Sequence, residues 1–129
     1  LRAFARDIAE YYHDSHDVLD RLSKSYGFRY VEFWQPALYY DDEPVGGEKK
    51  LLVNDATLGD EKLREVFSVV RDELNAMRLE HFYDISDVLS DRENPMYVDA
   101  VHINDSANEI IAGKMGEVFR NTLLSAPRR

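Results

Sequence analysis

Three amphipathic segments alternate with only two short segments of strand-like composition, and this order constrains the fold more than any other feature. Apolar residues recur at helical spacing from Leu1 to Gly27, over about 60–78, and in the last segment, before the chain ends. The strand-like stretches are 28–34 (FRYVEFW) and 81–85 (HFYDI). Such alternation is typical of a parallel sheet with helices packed against it. The predicted class is therefore α/β.

Each helix is expected to bury one apolar stripe. In the first helix the stripe follows alternating steps of three and four, with Ser15 filling a gap between Leu1, Phe4, Ile8, Tyr11, Val18 and Leu22. The second helix is expected to bury Leu63, Val66, Phe67, Val70, Leu74 and Met77, and the last helix Ile110, Ile111, Met115, Val118, Phe119 and Thr122. Ser106 and Glu109 form an S-x-x-E pattern, which predicts a capping box at the start of the last helix.

Two strands are too few for a buried parallel sheet, although the chain of 129 residues has the size of one compact domain. The chain also begins at Leu1, without methionine and already in a helical pattern. We therefore expect residues 1–129 to be part of a larger α/β domain whose N-terminal portion lies upstream. Uncovered strand edges and apolar helix faces should then associate with that portion or with a second copy.

Charge and residue usage exclude several kinds of function. The formal net charge is −9, and an acidic surface repels phosphate backbones and anionic headgroups, so no nucleic-acid partner is expected. No apolar run approaches the roughly 20 residues that span a bilayer. The absence of cysteine excludes disulfides, thiolate metal sites and a cysteine nucleophile, but it leaves the compartment open.

The chemically informative residues stand shortly before the last helix. Asp99 and His102 are three apart on a predicted loop. In a turn, that spacing lets a carboxylate accept the Nδ1 proton of an imidazole, which leaves Nε2 free to accept a proton from a nucleophile. The two residues are therefore the candidate catalytic pair, a general base with its orienting group. A bare D-x-x-H pattern arises by chance with odds of roughly 0.4 here, so its position before a capped helix carries more weight.

Around this pair the sequence resembles the SGNH (GDSL) serine hydrolases. Residues 102–108 (HINDSAN) are similar to the H-x-N-D-x-G-N stretch that opens the final helix of that family, with Ala107 where glycine is common. The Gln35-Pro36 step and the segment 84–89 (DISDVL) are similar to the family as well. The resemblance covers essentially the whole chain, as the C-terminal half of the family's domain.

The resemblance implies a three-layer α/β/α, flavodoxin-like fold with a parallel sheet, of which residues 1–129 supply the C-terminal half. It also implies a serine ester hydrolase in which His102 is the general base and Asp99 orients it, without metal or cofactor. The substrate would be a small ester or an acylated carbohydrate or lipid. The family's G-D-S block and oxyanion-hole loops are not in this sequence, and Asp14-Ser15 lies inside the first helix, so this chain alone is predicted to be inactive.

Two other interpretations are open at this point. If the D-x-x-H pattern is incidental, the chain is a non-catalytic α/β binding or interaction module. An acidic receiver-type signalling domain has a similar length and charge. It would need five alternating strands and an early acidic pair at a strand end, and the sequence predicts neither.

Three polar residues outside the candidate pair have both a functional and a structural interpretation. Gln35 is either a polar group at the edge of the site or a strand terminator with a solvated side chain. His13 and His16 share a helix face and could hold a metal ion, although a charged solvent face explains them as well.

Residues 37–57 are predicted to form a long surface loop, and long loops in compact domains are often functional. Within it, Tyr39 and Tyr40 either line a substrate groove or cover the core. The acidic cluster 41–43 is expected to be solvated.

Overall fold

The structure, a computed structural model, describes residues 1–52 and 59–124. In chain order this part of the protein consists of α1 (Arg2–Tyr26), β1 (Glu32–Trp34), a 3-10 helix (Leu38–Tyr40), α2 (Lys49–Leu52), α3 (Asp60–Met77), β2 (Phe82–Asp84), α4 (Asp105–Phe119) and a π-helix (Arg120–Leu124). None of these helices combines the length and hydropathy needed to cross a bilayer. The order of helices and strands in this part of the protein is the α/β organisation that the alternating pattern predicts.

The two strands pair side by side and run parallel, as predicted. Phe33 lies opposite Tyr83, and the N–H of Ile85 continues the ladder by donating to the carbonyl of Trp34 at 3.0 Å. Each strand is three residues long, which is shorter than predicted. Because parallel strands end at the same edge of a sheet, the segments that follow Trp34 and Asp84 leave it next to each other.

A first hydrophobic core lies between α1 and α3. Helix α1 contributes Ala5 and Ala9, and α3 contributes Val66, Val70 and Leu74 from the stripe predicted for it. Two small residues on the contacting face of α1 allow the helix axes to approach closely. Of the stripe predicted for α3, Val66, Val70 and Leu74 are thus buried, whereas Leu63, Phe67 and Met77 are half-buried.

The apolar stripe predicted on α1 is largely exposed. Phe4, Tyr11 and Val18 are 55%, 75% and 55% exposed, and Leu1 and Leu22 are exposed as well. Helix α1 packs against α3 with small residues instead, and these lie on a neighbouring face of the same helix. The spacing of large apolar side chains does not reveal such a face.

The structure confirms the predicted end of α1 but not the predicted start of α4. Helix α1 ends where predicted, with Gly27 in the left-handed conformation at φ 71°. Helix α4 begins earlier than predicted, because Asn104 is its N-cap and accepts the N–H of Ala107 at 3.0 Å. The predicted capping box of Ser106 and Glu109 is therefore wrong. Asparagine is as favourable an N-cap as serine, and here it stands two residues earlier in the chain.

A second hydrophobic core lies beneath the loop of Asp99 and His102. It gathers buried residues from the 3-10 helix, α2, the segment after β2, and α4, namely Ala37, Leu38, Tyr39, Leu52, Ile85, Leu89, Tyr97, Ala107 and Ile111. The segment 37–52 is therefore not the surface loop that was predicted, because its apolar side chains complete this core, although residues 42–43, 46–47 and 49–50 are exposed. The rest of that predicted loop, 53–57, lies outside the described residues.

Helix α4 buries only part of its predicted stripe. Ile111 and Val118 are buried, whereas Ile110 and Phe119 are exposed. The π-helix that follows is tied to the sheet, since the hydroxyls of Tyr83 and Thr122 are hydrogen-bonded at 2.6 Å.

Candidate active site

Asp99 and His102 lie on a tight loop between two short antiparallel segments. Tyr97 and Ile103 form an antiparallel bridge, and the N–H of Val98 donates to the carbonyl of His102 at 2.9 Å. The chain reverses direction between these pairs. The loop therefore presents both candidate side chains at the end of a small hairpin.

One carboxylate holds both the loop and the imidazole. Asp99 Oδ1 accepts the N–H of Val101 at 2.9 Å and the N–H of His102 at 2.7 Å, which is an Asx turn. Asp99 Oδ2 contacts His102 Nδ1 at 2.7 Å. An ionised carboxylate can only accept, so the imidazole proton lies on Nδ1 and the lone pair of the neutral ring lies on Nε2. The structure thus brings the two residues into contact in the arrangement that their spacing predicts.

The same contacts keep the carboxylate ionised. The N–H of Val101, the side chain of His102 and the N–H of His102 all donate to Asp99, and they lower its pKa from 3.8 to about 2. Asp99 is therefore an acceptor at any pH at which the imidazole is neutral, and it holds one tautomer throughout that range.

We expect the Asp99 carboxyl to titrate with a midpoint of about 2. In His102→Ala the midpoint should rise but stay below 3.8, because both backbone donors remain. Since folding lowers this pKa, the contribution of Asp99 to stability is complete above pH 3.8 and is lost as the pH falls through about 2. Carbon-13 NMR of the side-chain carboxyl measures both midpoints. A midpoint at 3.8 in the unmodified protein would contradict the hydrogen bonds described for Asp99.

The imidazole is turned toward solvent. The side chain of His102 is 76% exposed and that of Asp99 is 53% exposed. Among residues 1–52 and 59–124, His102 places its ring in a hydrogen bond with Asp99 alone. Nε2 is therefore accessible to a group that approaches the loop from outside this part of the chain.

An open apolar groove of about 440 Å³ begins at Asp99. Besides Asp99 it is lined by apolar and aromatic residues of the loop, α2, α3 and the 3-10 helix, namely Ala100, Val101, Leu51, Leu63, Phe67 and Tyr39. A second groove of about 270 Å³ shares Phe67 and Val101 with the first and contains Gln35. The exposed Gln35 therefore lies beside the candidate site, as one of its two interpretations requires.

The segment after β1 is bonded directly to the candidate loop. The N–H of Leu38 donates to the carbonyl of Ala100 at 2.9 Å. The next residue, Tyr39, is buried in the core and also lines the groove, so both of its interpretations apply. Tyr40 stabilises the core, because its hydroxyl accepts from Trp34 Nε1 at 2.6 Å, and burial raises its pKa. The candidate site thus lies at the carboxyl end of the sheet, where parallel strands gather ligand contacts.

A buried ionic network, which the sequence did not indicate, supports the loop from below. Glu48 Oε1 accepts the N–H of Met96 at 2.6 Å and of Tyr97 at 2.8 Å, and its Oε2 bonds Arg92 Nη2 at 2.6 Å. The guanidinium of Arg92 also pairs with Asp41 and lies over the ring of Tyr97, 5.0 Å from its centroid. The side chains of Arg92 and Glu48 are only 3% and 1% exposed. The network therefore anchors the segment that leads into Asp99.

The charged state of this network is maintained by its own hydrogen bonds. Burial alone would raise the pKa of Glu48, but donation from Arg92, Tyr97 and Met96 outweighs burial and lowers that pKa. Of the acidic cluster 41–43, only the last two residues are solvated, because Asp41 turns inward to Arg92.

Gly46 is the sequence feature that relates to the buried ionic network. Gly46 has φ +60°, and a Cβ at this position would lie 3.2 Å from the ring of Pro95. A turn that needs a residue without a side chain brings Glu48 to the segment before Tyr97. The sequence shows the two adjacent glycines, but it does not show which segment they approach.

The two histidines of α1 are in different environments. His16 is buried and its Nδ1 bonds Glu32 on β1, whereas His13 is partly exposed and lies 3.9 Å from Asp14. A charged solvent face is therefore the wrong interpretation for His16, because this residue links α1 to the sheet. In the described ranges, no three His, Cys, Asp or Glu side chains lie together as a metal ion would require.

The sequence matches no family model, no curated protein and no solved structure. The geometry of Asp99 and His102 is therefore the main observation from which a function can be inferred.

Proposed function

We propose that this chain supplies the histidine and the aspartate of a Ser–His–Asp triad in a serine ester hydrolase of the SGNH type. The observation that carries the proposal is the 2.7 Å bond between Asp99 Oδ2 and His102 Nδ1, combined with an imidazole side chain that is 76% exposed. A structural histidine needs no such combination, because a buried ring that bonds a carboxylate satisfies both partners, as His16 does.

In this proposal His102 acts as general base and then as general acid. Nε2 takes the proton of a serine hydroxyl while the serine oxygen bonds the ester carbonyl carbon, and it then donates that proton to the departing alcohol. A water repeats the sequence on the acyl-enzyme and releases the acid. Asp99 stabilises the imidazolium at each stage. The serine and the oxyanion donors would come from a part of the protein outside residues 1–129.

The wider fold of the proposal is a three-layer α/β/α, flavodoxin-like domain. In it, β1 and β2 would be two strands of a longer parallel sheet that has helices on both faces. Three features support this arrangement: the parallel direction of the strands, their short length, and a candidate loop at their carboxyl ends.

The groove beside Asp99 suggests the character of the substrate. Apart from the carboxylate of Asp99, its lining is aliphatic or aromatic, and it includes Leu51, Leu63 and Phe67. An apolar acyl or alkyl group would bury its surface there. The net charge of −9 disfavours anionic esters, so we expect a neutral ester.

A fluorophosphonate probe tests the proposal, because it phosphonylates a serine only when a base activates that serine. We expect the full-length protein that contains this chain to be labelled at one serine. His102→Ala should slow labelling about 100-fold or more, which is the usual contribution of a general base. Intact-protein mass spectrometry over time measures both rates.

His13→Ala is the matched control, since this histidine is partly exposed on α1 and touches neither groove. It should be labelled at the unmodified rate. Equal labelling of His102→Ala and the unmodified protein, or no labelling of either, would contradict the role of His102. The chain would then be a non-catalytic binding or interaction module.

A further inference from the structure

Helix α1 carries an apolar face of which the other described residues cover only Ile8. We define the α1 stripe as Leu1, Phe4, Ile8, Tyr11, Ser15, Val18 and Leu22. All of its members except the half-buried Ile8 are exposed. Helix α1 meets α3 through a different face, which contains Ala5 and Ala9. Apart from Ile8, which also packs against the first core, the exposed residues of the α1 stripe are therefore available to a partner.

The spacing of the α1 stripe indicates what kind of partner fits it. Its residues follow one another at steps of three, four, three, four, three and four. That pattern repeats every 3.5 residues and is the a/d repeat by which two helices pair along a common seam. A helix that only covers a globular core needs a wider stripe with a period of 3.6 residues. The partner that matches the α1 stripe is thus another long helix.

We propose that the α1 stripe binds the α1 stripe of a second copy in an antiparallel, two-fold symmetric helix pair. With Tyr11 placed opposite Ser15 of the second copy, Ile8 lies opposite Val18 and Phe4 opposite Leu22. Each of these pairs of opposite residues then occurs twice in the dimer, as two-fold symmetry requires.

The register of this pair matches large residues with small ones. Ser15 is the one small residue of the α1 stripe, and it faces Tyr11, the largest. In a parallel pair Ser15 would face Ser15 and leave a gap, while the two Tyr11 rings would collide in another layer. Close packing at the seam therefore favours the antiparallel direction.

Charges that flank the seam support the same direction. The antiparallel register places Asp7 beside Arg21 of the second copy, and it does so twice. Both residues are exposed, and among the described residues of its own chain Arg21 pairs with Asp17 alone, at 3.9 Å. The register also brings the two Asp14 residues together, so this position weakens the pair. In a parallel pair, Asp7 and Asp14 would instead lie beside Tyr12 and Leu19 of the second copy. No residues of opposite charge would then meet along the seam.

Sedimentation equilibrium of the full-length protein tests the inference. We expect a reversible dimer whose dissociation constant rises at least about tenfold in Val18→Glu, because the new carboxylate would be placed in an apolar seam. Glu10→Arg is the control, since this exposed residue lies on α1 outside the stripe. It should leave the dissociation constant unchanged. Circular dichroism confirms that the variants fold, as expected for an exposed position such as Val18.

Exchanging the charges of Asp7 and Arg21 distinguishes this antiparallel register from other arrangements of a dimer. Asp7→Arg and Arg21→Asp should each weaken the dimer about three- to tenfold, and the double variant should restore it, because the ion pair then forms with reversed signs. Asp14→Asn should strengthen it. A full-length protein that is monomeric at every concentration, a dimer that tolerates Val18→Glu, or a double variant without recovery would overturn the inference. None of these measurements depends on hydrolase activity.

Discussion

Replacing Arg92 with methionine is expected to remove about 3–5 kcal/mol of the free energy of unfolding. The guanidinium lies between two carboxylates, those of Glu48 and Asp41, and is 3% exposed. Methionine fills a similar space but leaves the charge of Glu48 without a cation in a site that water does not reach. Because small domains are stable by only about 5–15 kcal/mol, this one change should be visible in any unfolding experiment.

Arg6→Met is the matched control. Arg6 bonds Glu73 at 2.8 Å, a distance similar to that of the buried pair, but its side chain is 64% exposed. Exposed ion pairs contribute about 0–1 kcal/mol, so this variant should unfold near the unmodified protein. Urea unfolding followed by circular dichroism compares the three proteins. If Arg92→Met costs no more than Arg6→Met, the buried network does not stabilise the loop.

The acid sensitivity of the same variants provides an independent check. Folding lowers the pKa of Glu48, so the stability that Glu48 contributes is complete above its ordinary value of 4.5 and is lost as the pH falls below it. The unmodified protein should lose that contribution progressively below pH 4.5. Arg92→Met should lose less over the same interval, because its Glu48 has already lost the strongest interaction with a cation.

The helices and the parallel strands were predictable because their signals are local. Gly27 ends α1 where a left-handed residue is needed, and α3 shows its apolar period over its whole length. The buried face of α1 was not predictable in the same way. Apolar spacing identifies one stripe on this helix, and only the position of α3 shows that the buried face contains Ala5 and Ala9.

The candidate site likewise combines a contact that the sequence predicts with contacts that it does not predict. Asp99 and His102 lie in one turn, so their spacing alone predicts the contact between them. Glu48 and Arg92 are 44 residues apart, and no local pattern links them. The energetic support of a site is often built from such distant pairs. A sequence therefore reveals the candidate pair of this loop more readily than the residues that hold the loop in place.

Asp99→Asn is expected to lower kcat/KM of the full-length protein about 10⁴-fold on p-nitrophenyl acetate, if the proposed triad is correct. An asparagine oxygen can still accept the N–H groups of Val101 and His102, so the turn should persist. Its amide nitrogen, however, would donate to Nδ1 where the carboxylate accepts. The imidazole proton then moves to Nε2, the atom that must accept the serine proton. The variant should be folded and nearly inactive, although it loses the stability that the ionised carboxylate of Asp99 contributes.

Two measurements distinguish this effect from a loss of structure. Nitrogen-15 NMR of the imidazole should show the proton on Nδ1 in the unmodified protein and on Nε2 in Asp99→Asn. Asp105→Asn removes the same charge close to His102 without touching the ring, because Asp105 lies in the exposed first turn of α4. Its kcat/KM should stay within a few-fold of the unmodified value. If kcat/KM of Asp99→Asn also stays within a few-fold of the unmodified value, the carboxylate of Asp99 does not set the tautomer. The loss of one negative charge would then account for the change in both variants.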